Sequence, residues 1–303
     1  MKKIIVLKHG GGELTNQLWN YISIYAYAKE INAHVINPSF FEYGSNFNIK
    51  CPLILNLLLY KPFANYTKRR SGLKRRIWRN VYKLYIFLIH IFQKGSIVSS
   101  INPNNTVYYL PPSIKNNPKN TKGSLYFEGW LFRNPEGIKK YRKEILEYFK
   151  PTPLVEKNIE RFLYKNKNKY LIGVHIRQGD YKTFKNGCFY IEQKRIREIV
   201  DEYLNFIKKS PNEIVFIITS DGPIDEKQFA GLQYNISHMG PVEDLFLLSK
   251  TKTILGSNSS FGNFASWYGN IPHIIFSKEK TDWNYYLDKK EYFKNKYCTM
   301  VHY

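Results

Sequence analysis

The sequence predicts an α/β protein of two Rossmann-like lobes, each built on a mainly parallel sheet. Strand-like and helix-like segments alternate regularly through the second half of the 303 residues. The first half begins in the same way, with an apolar run, a glycine turn and a helical pattern. Hydrophobic residues at 43% and charged residues at 23% are typical of a chain that buries a core. A chain of this length favours two domains of about 150 residues each.

The amino-terminal lobe is predicted for residues 1–150. IIVL is a short buried strand, and apolar residues at helical spacing favour a helix over LWNYISIYAYAKE. AHVINP is the next predicted strand, and residues 102–120 form a loop rich in Asn and Pro. The helical pattern IKKYRKEILEYF ends at Pro151 and Pro153, so the lobe boundary is predicted there.

The carboxyl-terminal lobe is predicted for residues 151–303. Its strands are KYLIGVHI, EIVFIITS, TILGS and IPHIIFS. The helices between them are IEQKRIREIVDEYLNFIKK, EDLFLLSKTK and FGNFASWYG. This alternation predicts a doubly wound parallel sheet with helices on both faces.

Composition limits the environment and the partners. Lys and Arg number 46 against 24 Asp and Glu, and the formal charge of +22 favours polyanions without choosing among nucleic acid, anionic lipid and nucleotide sugars. The three cysteines form no CxxC pair, which disfavours a disulfide scaffold or a zinc site and fits a reducing compartment. The apolar runs are too short for a signal peptide or a membrane span, so a cytoplasmic protein is expected.

One segment is strongly basic. Residues 68–79 read KRRSGLKRRIWR and precede the apolar stretch YKLYIFLIHIF, while no acidic residue lies between Glu42 and Glu128. One interpretation is a solvated basic helix joined to a core helix. The other is that residues 61–92 contact anionic lipid at the inner face of the membrane, or a lipid-linked acceptor.

Polar residues follow three of the predicted strands, and the carboxyl ends of parallel strands meet at one edge of a sheet. The strand KYLIGVHI is followed by Arg177 and Asp180. Arg177 could bind a phosphate, or it could simply form a salt bridge with Asp180. A guanidinium suits a phosphate leaving group because it is permanently charged and offers paired donors. The third strand leads to Ser259 and Ser260 at the start of a helix, where anions bind favourably; a plain helix cap is the alternative.

Other common motifs are missing. Three glycines at 10–12 lack GxGxxG spacing and are weak evidence for a dinucleotide site. GxxxxGK[ST], HExxH, GxSxG and kinase signatures do not occur, which argues against the commonest hydrolases and kinases.

The motifs and their order resemble the α-1,2-fucosyltransferase family, within the wider superfamily of GDP-fucose-dependent transferases. The family's GGxGNQ turn is matched loosely by residues 12–17 and its HxRRxD motif by residues 175–180. Its SDD-like strand end is similar to residues 220–222, its ED-L-x-L-x-S helix to residues 243–249 and its NSTFSWW-like segment to residues 258–261. The resemblance covers nearly the whole chain and is strongest over residues 169–275.

This resemblance implies a GT-B fold, two Rossmann-like lobes with a cleft between them. It implies inverting, metal-independent transfer of fucose from GDP-fucose to a glycan hydroxyl, in surface polysaccharide or glycan synthesis. The donor would lie in the carboxyl-terminal lobe and the acceptor mainly in the amino-terminal one. No cofactor or metal is expected beyond the donor substrate, and the partners are the GDP-sugar and a glycan acceptor.

The family's residue roles transfer position by position. Arg177 would bind the β-phosphate with help from the turn at Ser260 and Phe261. His175 and Asp244 would read guanine, whose N1–H and amino group suit a carboxylate. The remaining donor-binding candidates are Gly11, Gly12, Asn16, Ser220, Asp221, Asn258 and Ser259.

The sequence departs from the family at three positions. Gln178 replaces the second Arg of HxRRxD, and Glu13 and Thr15 replace glycines. These departures leave the sugar and the linkage open. Glu13 is a candidate base for the acceptor hydroxyl, with a solvent-facing role as the alternative; Asp180 is the second candidate unless it orients Arg177.

Three alternative functions follow from the same residues. The first is a transferase for another GDP-6-deoxyhexose, because contacts to guanine and diphosphate say little about the sugar ring. The second is a basic nucleic-acid-binding protein, although we expect no nucleic-acid partner because no recognised module occurs. The third is a glycan-binding protein without catalysis.

Overall fold

The structure is a computed structural model, and it describes residues 4–9, 12–63, 73–92, 94–102, 106–110 and 123–286. The chain divides into two compact units, Met1–Val155 and Glu156–Tyr303. This division lies a few residues beyond the predicted boundary at 150/151. Each unit contains its own parallel sheet, so the predicted α/β class with two mainly parallel sheets is confirmed.

The first unit is built on a four-stranded sheet. The strands described in the whole unit are β1 (Ile4–His9), β2 (His34–Ile36), β3 (Gly95–Ser99), β4 (Tyr108–Tyr109), β5 (Ser124–Glu128) and β6 (Phe132–Arg133). The order in the sheet is β2-β1-β5-β3 with every pair parallel, and β4 pairs with β6 in a separate parallel ladder. β4 lies inside the stretch 102–120 that the sequence predicted as loop; residues 103–105 and 111–120 are outside the described residues.

The described part of this unit contains five α-helices. They are α1 (Leu14–Glu30), α2 (Leu53–Leu55), α3 (Leu73–Phe92), α4 (Pro135–Lys140) and α5 (Arg142–Tyr148). The helix predicted over residues 138–149 is wrong in two respects, because it starts earlier and is interrupted. The Asn134 side chain accepts the backbone N–H of Gly137 and Pro135 follows it, which starts α4 there. Tyr141 leaves helical geometry and separates α4 from α5.

The basic and apolar parts of the segment 68–92 form one helix where they are described. α3 starts at Leu73, and residues 68–72 lie outside the described residues. Tyr82 and Ile86 are buried on one side of α3, where the Tyr82 ring stacks on Phe41. The other side of the helix is exposed.

The second unit is built on a five-stranded parallel sheet. Its strands are β7 (Tyr170–Ile176), β8 (Ile214–Ser220), β9 (Tyr234–Ile236), β10 (Thr253–Gly256) and β11 (His273–Ile275). Its helices are α6 (Pro153–Leu163), within which the unit boundary falls, α7 (Gln193–Ile207), α8 (Pro241–Ser249) and α9 (Ser260–Gly269). The strand order is β11-β10-β7-β8-β9. β9 was not predicted.

The central strand β7 fixes the position of the predicted site. Its residues from Leu171 to Ile176 are buried, and β10 and β8 pair with it on opposite sides. His175 is in register with Gly256 of β10 and with Thr219 of β8. The three strand ends therefore lie side by side, as the sequence predicted.

Candidate active site

Arg177 follows directly after β7 and lies at the centre of the candidate site. Its guanidinium lies 2.9 Å from the Asp180 carboxylate and 3.1 Å from the Asp221 carboxylate. The guanidinium also lies over the Tyr181 ring, 5.7 Å from the ring centroid. The Arg177 side chain is 29% exposed, so the cation is held in place but remains open to solvent. The structure thus contains the salt bridge to Asp180 that was the alternative role for this residue, and a second one to Asp221.

Asp221, after β8, organises the loop that follows Arg177. One carboxylate oxygen accepts the backbone N–H groups of Gln178 at 2.6 Å and Gly179 at 3.2 Å, while the other pairs with Arg177. A carboxylate that receives backbone N–H groups and a guanidinium is well satisfied and fixes the loop geometry. Asp221 therefore couples the end of β8 to the conformation of Arg177.

Gln178 stands where the family pattern has a second arginine, and it is buried. Its amide nitrogen donates to the Ser220 hydroxyl at 3.1 Å and to the Pro223 carbonyl at 2.7 Å. Its amide oxygen accepts from Gln193 of α7. Through these hydrogen bonds the Gln178 side chain connects the ends of β7 and β8 with α7. Its role in the site is therefore structural.

The end of β10 contacts the backbone of Arg177. The Ser257 hydroxyl, just after β10, accepts the backbone N–H of Arg177 at 3.0 Å. The Tyr181 hydroxyl donates to the Asn258 carbonyl at 2.8 Å, and burial raises the pKa of Tyr181 to about 12. Ser259 caps α9 by accepting the backbone N–H of Gly262 at 3.4 Å. The backbone of Arg177 and the turn that begins at Ser257 are therefore in contact, at the ends of the neighbouring strands β7 and β10.

His175 lies beneath this turn. The His175 ring is buried and stacks on Phe261 with centroids 4.8 Å apart, and its Nδ1 lies 3.2 Å from the Thr219 hydroxyl. Burial, helped by the nearby Arg177 charge, lowers the pKa of His175 to about 3. Phe261 is half-buried, so it is the ring of this pair that a ligand can touch.

A second buried histidine lies on the other side of β10. His273, on β11, has its Nδ1 2.8 Å from the Asn263 side-chain oxygen, and burial lowers its pKa to about 3. A Cβ atom on Gly262 would come within 2.6 Å of the His273 ring. The lack of a side chain at position 262 therefore lets the start of α9 pack against β11.

Asp244 lies in the first turn of α8 and is half-buried. Its carboxylate accepts a short hydrogen bond from the Ser237 hydroxyl, at the end of β9. Burial raises the pKa of Asp244 to about 7; neighbouring Glu243 acts in the same direction and the Ser237 bond opposes both. Asp244 thus lies at the carboxyl edge of the same sheet as Arg177, without a direct contact between them among the described bonds.

The first unit contains the remaining candidates. Gly12 has φ +75°, and Asn16 packs so close that a Cβ on Gly12 would lie 2.7 Å from the Asn16 Cβ. Glu13 precedes α1, is exposed, and its carboxylate lies 3.5 Å from the Tyr43 hydroxyl. Gly11 lies outside the described residues. The negative charge of Glu13 is favourable at its position just before the amino terminus of α1.

Neither a metal-binding cluster nor a membrane-spanning helix occurs among the described residues. In that part of the chain, no group of three or more His, Cys, Asp or Glu side chains is arranged to hold a metal ion. No helix within the same described ranges combines the length and the apolar character that crossing a membrane requires.

A parallel α/β sheet whose strand ends place an arginine next to the turn that leads into a helix suits the binding of a ligand that carries phosphate. The family model for glycosyl transferase family 11 matches residues 126–297, more than half of the chain. The chain belongs to glycosyl transferase family 11. This confirms the predicted family and the predicted class of enzyme, a fucosyltransferase. Comparison with curated proteins gives no match.

Solved structures share the fold at low identity. The crystal structure of POFUT1 in complex with GDP-fucose has a TM-score of 0.55 and 12% identity, covering 92% of this chain and 98% of its own. FUT1 of Arabidopsis thaliana in complex with GDP has a TM-score of 0.57 and 13% identity, covering 93% and 71%. The fucosyltransferase NodZ from Bradyrhizobium has a TM-score of 0.56 and 12% identity, covering 93% and 97%. These likenesses confirm the fold class.

Sequence reasoning missed three members of the site. Ser257, Tyr181 and His273 all contact predicted residues or the segments that carry them. A signal was present for the first two, since they flank the motifs at 175–180 and 258–261. No sequence signal marks His273, because its contact with the start of α9 depends on the pairing of β10 with β11.

Proposed function

We propose that this protein transfers fucose from GDP-fucose to a hydroxyl group of a glycan, by an inverting and metal-independent displacement. Membership of family 11 supports fucose transfer. The related folds include POFUT1 in complex with GDP-fucose and NodZ soaked with GDP-fucose, which supports this donor. The single observation that carries the proposal is the partly exposed Arg177 guanidinium at the carboxyl end of β7, in a residue whose backbone N–H is bound by Ser257 just before α9.

In this proposal Arg177 binds the β-phosphate of the donor. Asp180 and Asp221 hold the guanidinium at the strand end. A phosphate that approaches from solvent takes over the exposed N–H groups, and the turn at Ser260 and Phe261 supplies backbone donors at a helix amino terminus. Asn258 and Ser259 shape that turn, while Ser220 holds Gln178.

The guanine is proposed to contact the edge of the sheet near Asp244. An ionised Asp244 accepts the N1–H and amino group of guanine, which are two neighbouring donors. His175 supports Phe261 from below, so its predicted role in reading guanine becomes indirect in our proposal. Gly12 precedes α1 and Asn16 lies in its first turn; we keep both as proposed donor contacts and assign the acceptor mainly to the first unit.

The reaction is proposed to be a single displacement. The acceptor oxygen forms a bond to C1 of fucose while the bond from C1 to the phosphate oxygen breaks, and that electron pair leaves with GDP. Arg177 neutralises the charge that develops on the phosphate. A carboxylate takes the proton of the acceptor hydroxyl. We assign this role to Glu13, since Asp180 is already paired with Arg177.

The same arrangement supports the remaining parts of the proposal. A permanently charged guanidinium supplies the positive potential that a metal ion provides in other transferases, so we propose that none is required. We propose a cytoplasmic enzyme of surface polysaccharide or glycan synthesis, in keeping with three scattered cysteines. The acceptor and the linkage are not assigned.

A panel of nucleotide sugars tests the donor. The purified protein is incubated separately with GDP-fucose, GDP-mannose, another GDP-6-deoxyhexose and a UDP-sugar, and release of the nucleotide is measured with and without a chelator. We expect turnover with GDP-fucose, unchanged by the chelator. If only another GDP-6-deoxyhexose is turned over, that sugar and not fucose is the one transferred. Binding of glycan without turnover of any donor contradicts it.

A further inference from the structure

The outward side of α3 carries an apolar stripe that the proposed reaction does not use. Leu73, Ile77, Leu84, Leu88 and Ile91 follow one another at spacings of three, four or seven residues, which places them on one side of the helix. All five are exposed; Leu84 is 57% and Ile91 52% accessible. We call these five residues the α3 stripe.

The opposite side of α3 is already committed to the core. Tyr82 and Ile86 are buried there and pack in a cluster with Phe41 and Tyr126. The α3 stripe is therefore a second apolar face, which packing within this unit does not cover among the described residues. Burying so much apolar surface is favourable, so a face of this kind indicates a partner.

A row of basic residues lies alongside the α3 stripe. Arg76, Arg79 and Lys83 are exposed and succeed one another at spacings of three and four residues, so they share one flank of the helix. The sequence contains no Asp or Glu between Glu42 and Glu128, where it contains fourteen Lys and Arg. The surface around α3 is thus both apolar and positively charged.

The apolar surface extends to a neighbouring segment of the same unit. Leu53 of α2 is 70% exposed and Ile54 is 62% exposed. The Trp78 indole of α3 donates to the carbonyl of Leu58 at 3.0 Å, in the π-helical turn that continues α2. The two segments are therefore direct neighbours, and both expose large aliphatic side chains.

We propose that the α3 stripe docks on the surface of an anionic lipid bilayer. A helix that lies in the interface buries an apolar face among acyl chains while adjacent Lys and Arg contact acidic headgroups. The stripe and the row Arg76, Arg79 and Lys83 provide both requirements on one helix. The helix lies on the membrane in this proposal and does not cross it.

Charge favours the bilayer over the other candidate partners. A second copy of the chain would bring two basic rows together on a protein of net charge +22, and like charges at an interface are unfavourable. Nucleic acid would match the basic row but would leave the aliphatic stripe in water. A lipid surface satisfies the apolar and the basic side chains at once.

Vesicle flotation tests this proposal. The full-length protein is mixed with vesicles of phosphatidylcholine alone or of phosphatidylcholine with phosphatidylglycerol, and the floated fraction is measured. We expect binding to the anionic vesicles and loss of most of that binding as the salt concentration rises from about 0.1 M to about 1 M. No binding to anionic vesicles would overturn the proposal.

Two sets of substitutions separate the apolar and the basic contributions. The triple variant Arg76→Gln, Arg79→Gln, Lys83→Gln should partition about 100-fold more weakly into anionic vesicles. The triple variant Leu84→Gln, Leu88→Gln, Ile91→Gln should lose at least about tenfold. The single change Leu84→Gln serves if the second triple variant fails to fold, and it should show a partial loss.

A matched control carries the same change of charge on the second unit. Lys157→Gln, Lys165→Gln and Lys227→Gln replace three exposed lysines there, and this variant should bind vesicles within about twofold of the unchanged protein if the effect is local. Equal loss in the control and the α3 variants would show that net charge alone is responsible and would overturn the proposal. A dimer that the Leu84, Leu88 and Ile91 changes dissociate would also overturn it, in favour of self-association. The outcome does not depend on which sugar is transferred.

Discussion

The guanidinium of Arg177 lies 3.1 Å from a carboxylate oxygen of Asp221, and the other oxygen of the same carboxylate accepts the backbone N–H of Gln178. One acidic side chain therefore fixes both the position of the arginine and the loop that carries it. The pair joins the ends of two adjacent strands, β7 and β8. Its two functions can be separated by mutation.

Asp221→Asn should preserve the loop, whereas Asp221→Ala should not. Asparagine retains an oxygen for the N–H groups of Gln178 and Gly179, while alanine leaves the partly buried N–H of Gln178 unsatisfied. We expect Asp221→Ala to lower the free energy of unfolding by about 1–3 kcal/mol and Asp221→Asn by clearly less. Denaturant unfolding measures both. Equal losses would show that the ion pair with Arg177, and not the loop contact, is what stabilises the protein.

Gly262→Ala should displace the start of α9. The added Cβ would lie 2.6 Å from the His273 ring, so either the ring or the helix must move. Overpacking of this kind costs about 1–3 kcal/mol. The double variant Gly262→Ala, His273→Ala removes the obstructing ring, and we expect its loss of stability to be smaller than the sum of the two single losses. Strict additivity in this double-mutant cycle would refute the steric explanation.

GDP binding should weaken in acid because of Asp244. Burial raises the pKa of this carboxyl to about 7, and guanine needs the ionised form. We expect the Kd for GDP to rise by up to about tenfold for each pH unit below 7. The terminal phosphate of GDP also titrates near this range, so the readout is the difference from Asp244→Asn, which lacks the carboxyl. Identical pH profiles by calorimetry would exclude Asp244 as the guanine acceptor.

The raised pKa of Asp244 also affects stability. A carboxyl whose pKa in the folded protein lies above its value of about 4 in the unfolded chain contributes most below pH 4. Its contribution falls as the pH rises through about 7. Asp244→Asn should therefore be more stable than the unchanged protein at pH 8, relative to the same comparison at pH 4. Thermal unfolding at the two pH values measures this; a relative gain at pH 4 would contradict the assigned sign.

Glu13→Gln tests the proposed base. The change removes the carboxylate at the start of α1 and keeps the size of the side chain. We expect turnover of GDP-fucose with acceptor to fall by about 10²–10⁴-fold, the usual contribution of general base catalysis, while GDP binding stays unchanged. Asp180→Asn makes the corresponding change at the second candidate base, which lies on the second unit. Nearly full turnover of Glu13→Gln would remove this residue from the mechanism.

Much of the second unit could be predicted because its signals are local. Buried runs such as Leu171–Ile176 end in polar residues, which marks both the strand and the site at its end. β9 escaped prediction because Tyr234, Asn235 and Ile236 are only half-buried and show no clear period. Its place in the sheet comes from pairing with β8, which no local pattern encodes.

The roles of individual side chains were less predictable. Gln178 looked in the sequence like a lost positive charge, yet its amide contacts Ser220 and Pro223, more than forty residues away. The same applies to α3, whose apolar residues surround much of the helix. Only the packing of Tyr82 and Ile86 decides which side is buried and which is left as the α3 stripe.

The GDP-induced change in melting temperature of Arg177→Ala tests the central claim most directly. GDP at about 100 times its Kd should stabilise the unchanged protein by about 2.7 kcal/mol, since it binds only the folded state. Arg177→Ala should lose most of this shift, Arg177→Lys should retain part of it, and Arg161→Ala, at an exposed arginine of α6, should retain all of it. A full GDP shift in Arg177→Ala would contradict the assignment of this guanidinium to the donor phosphate.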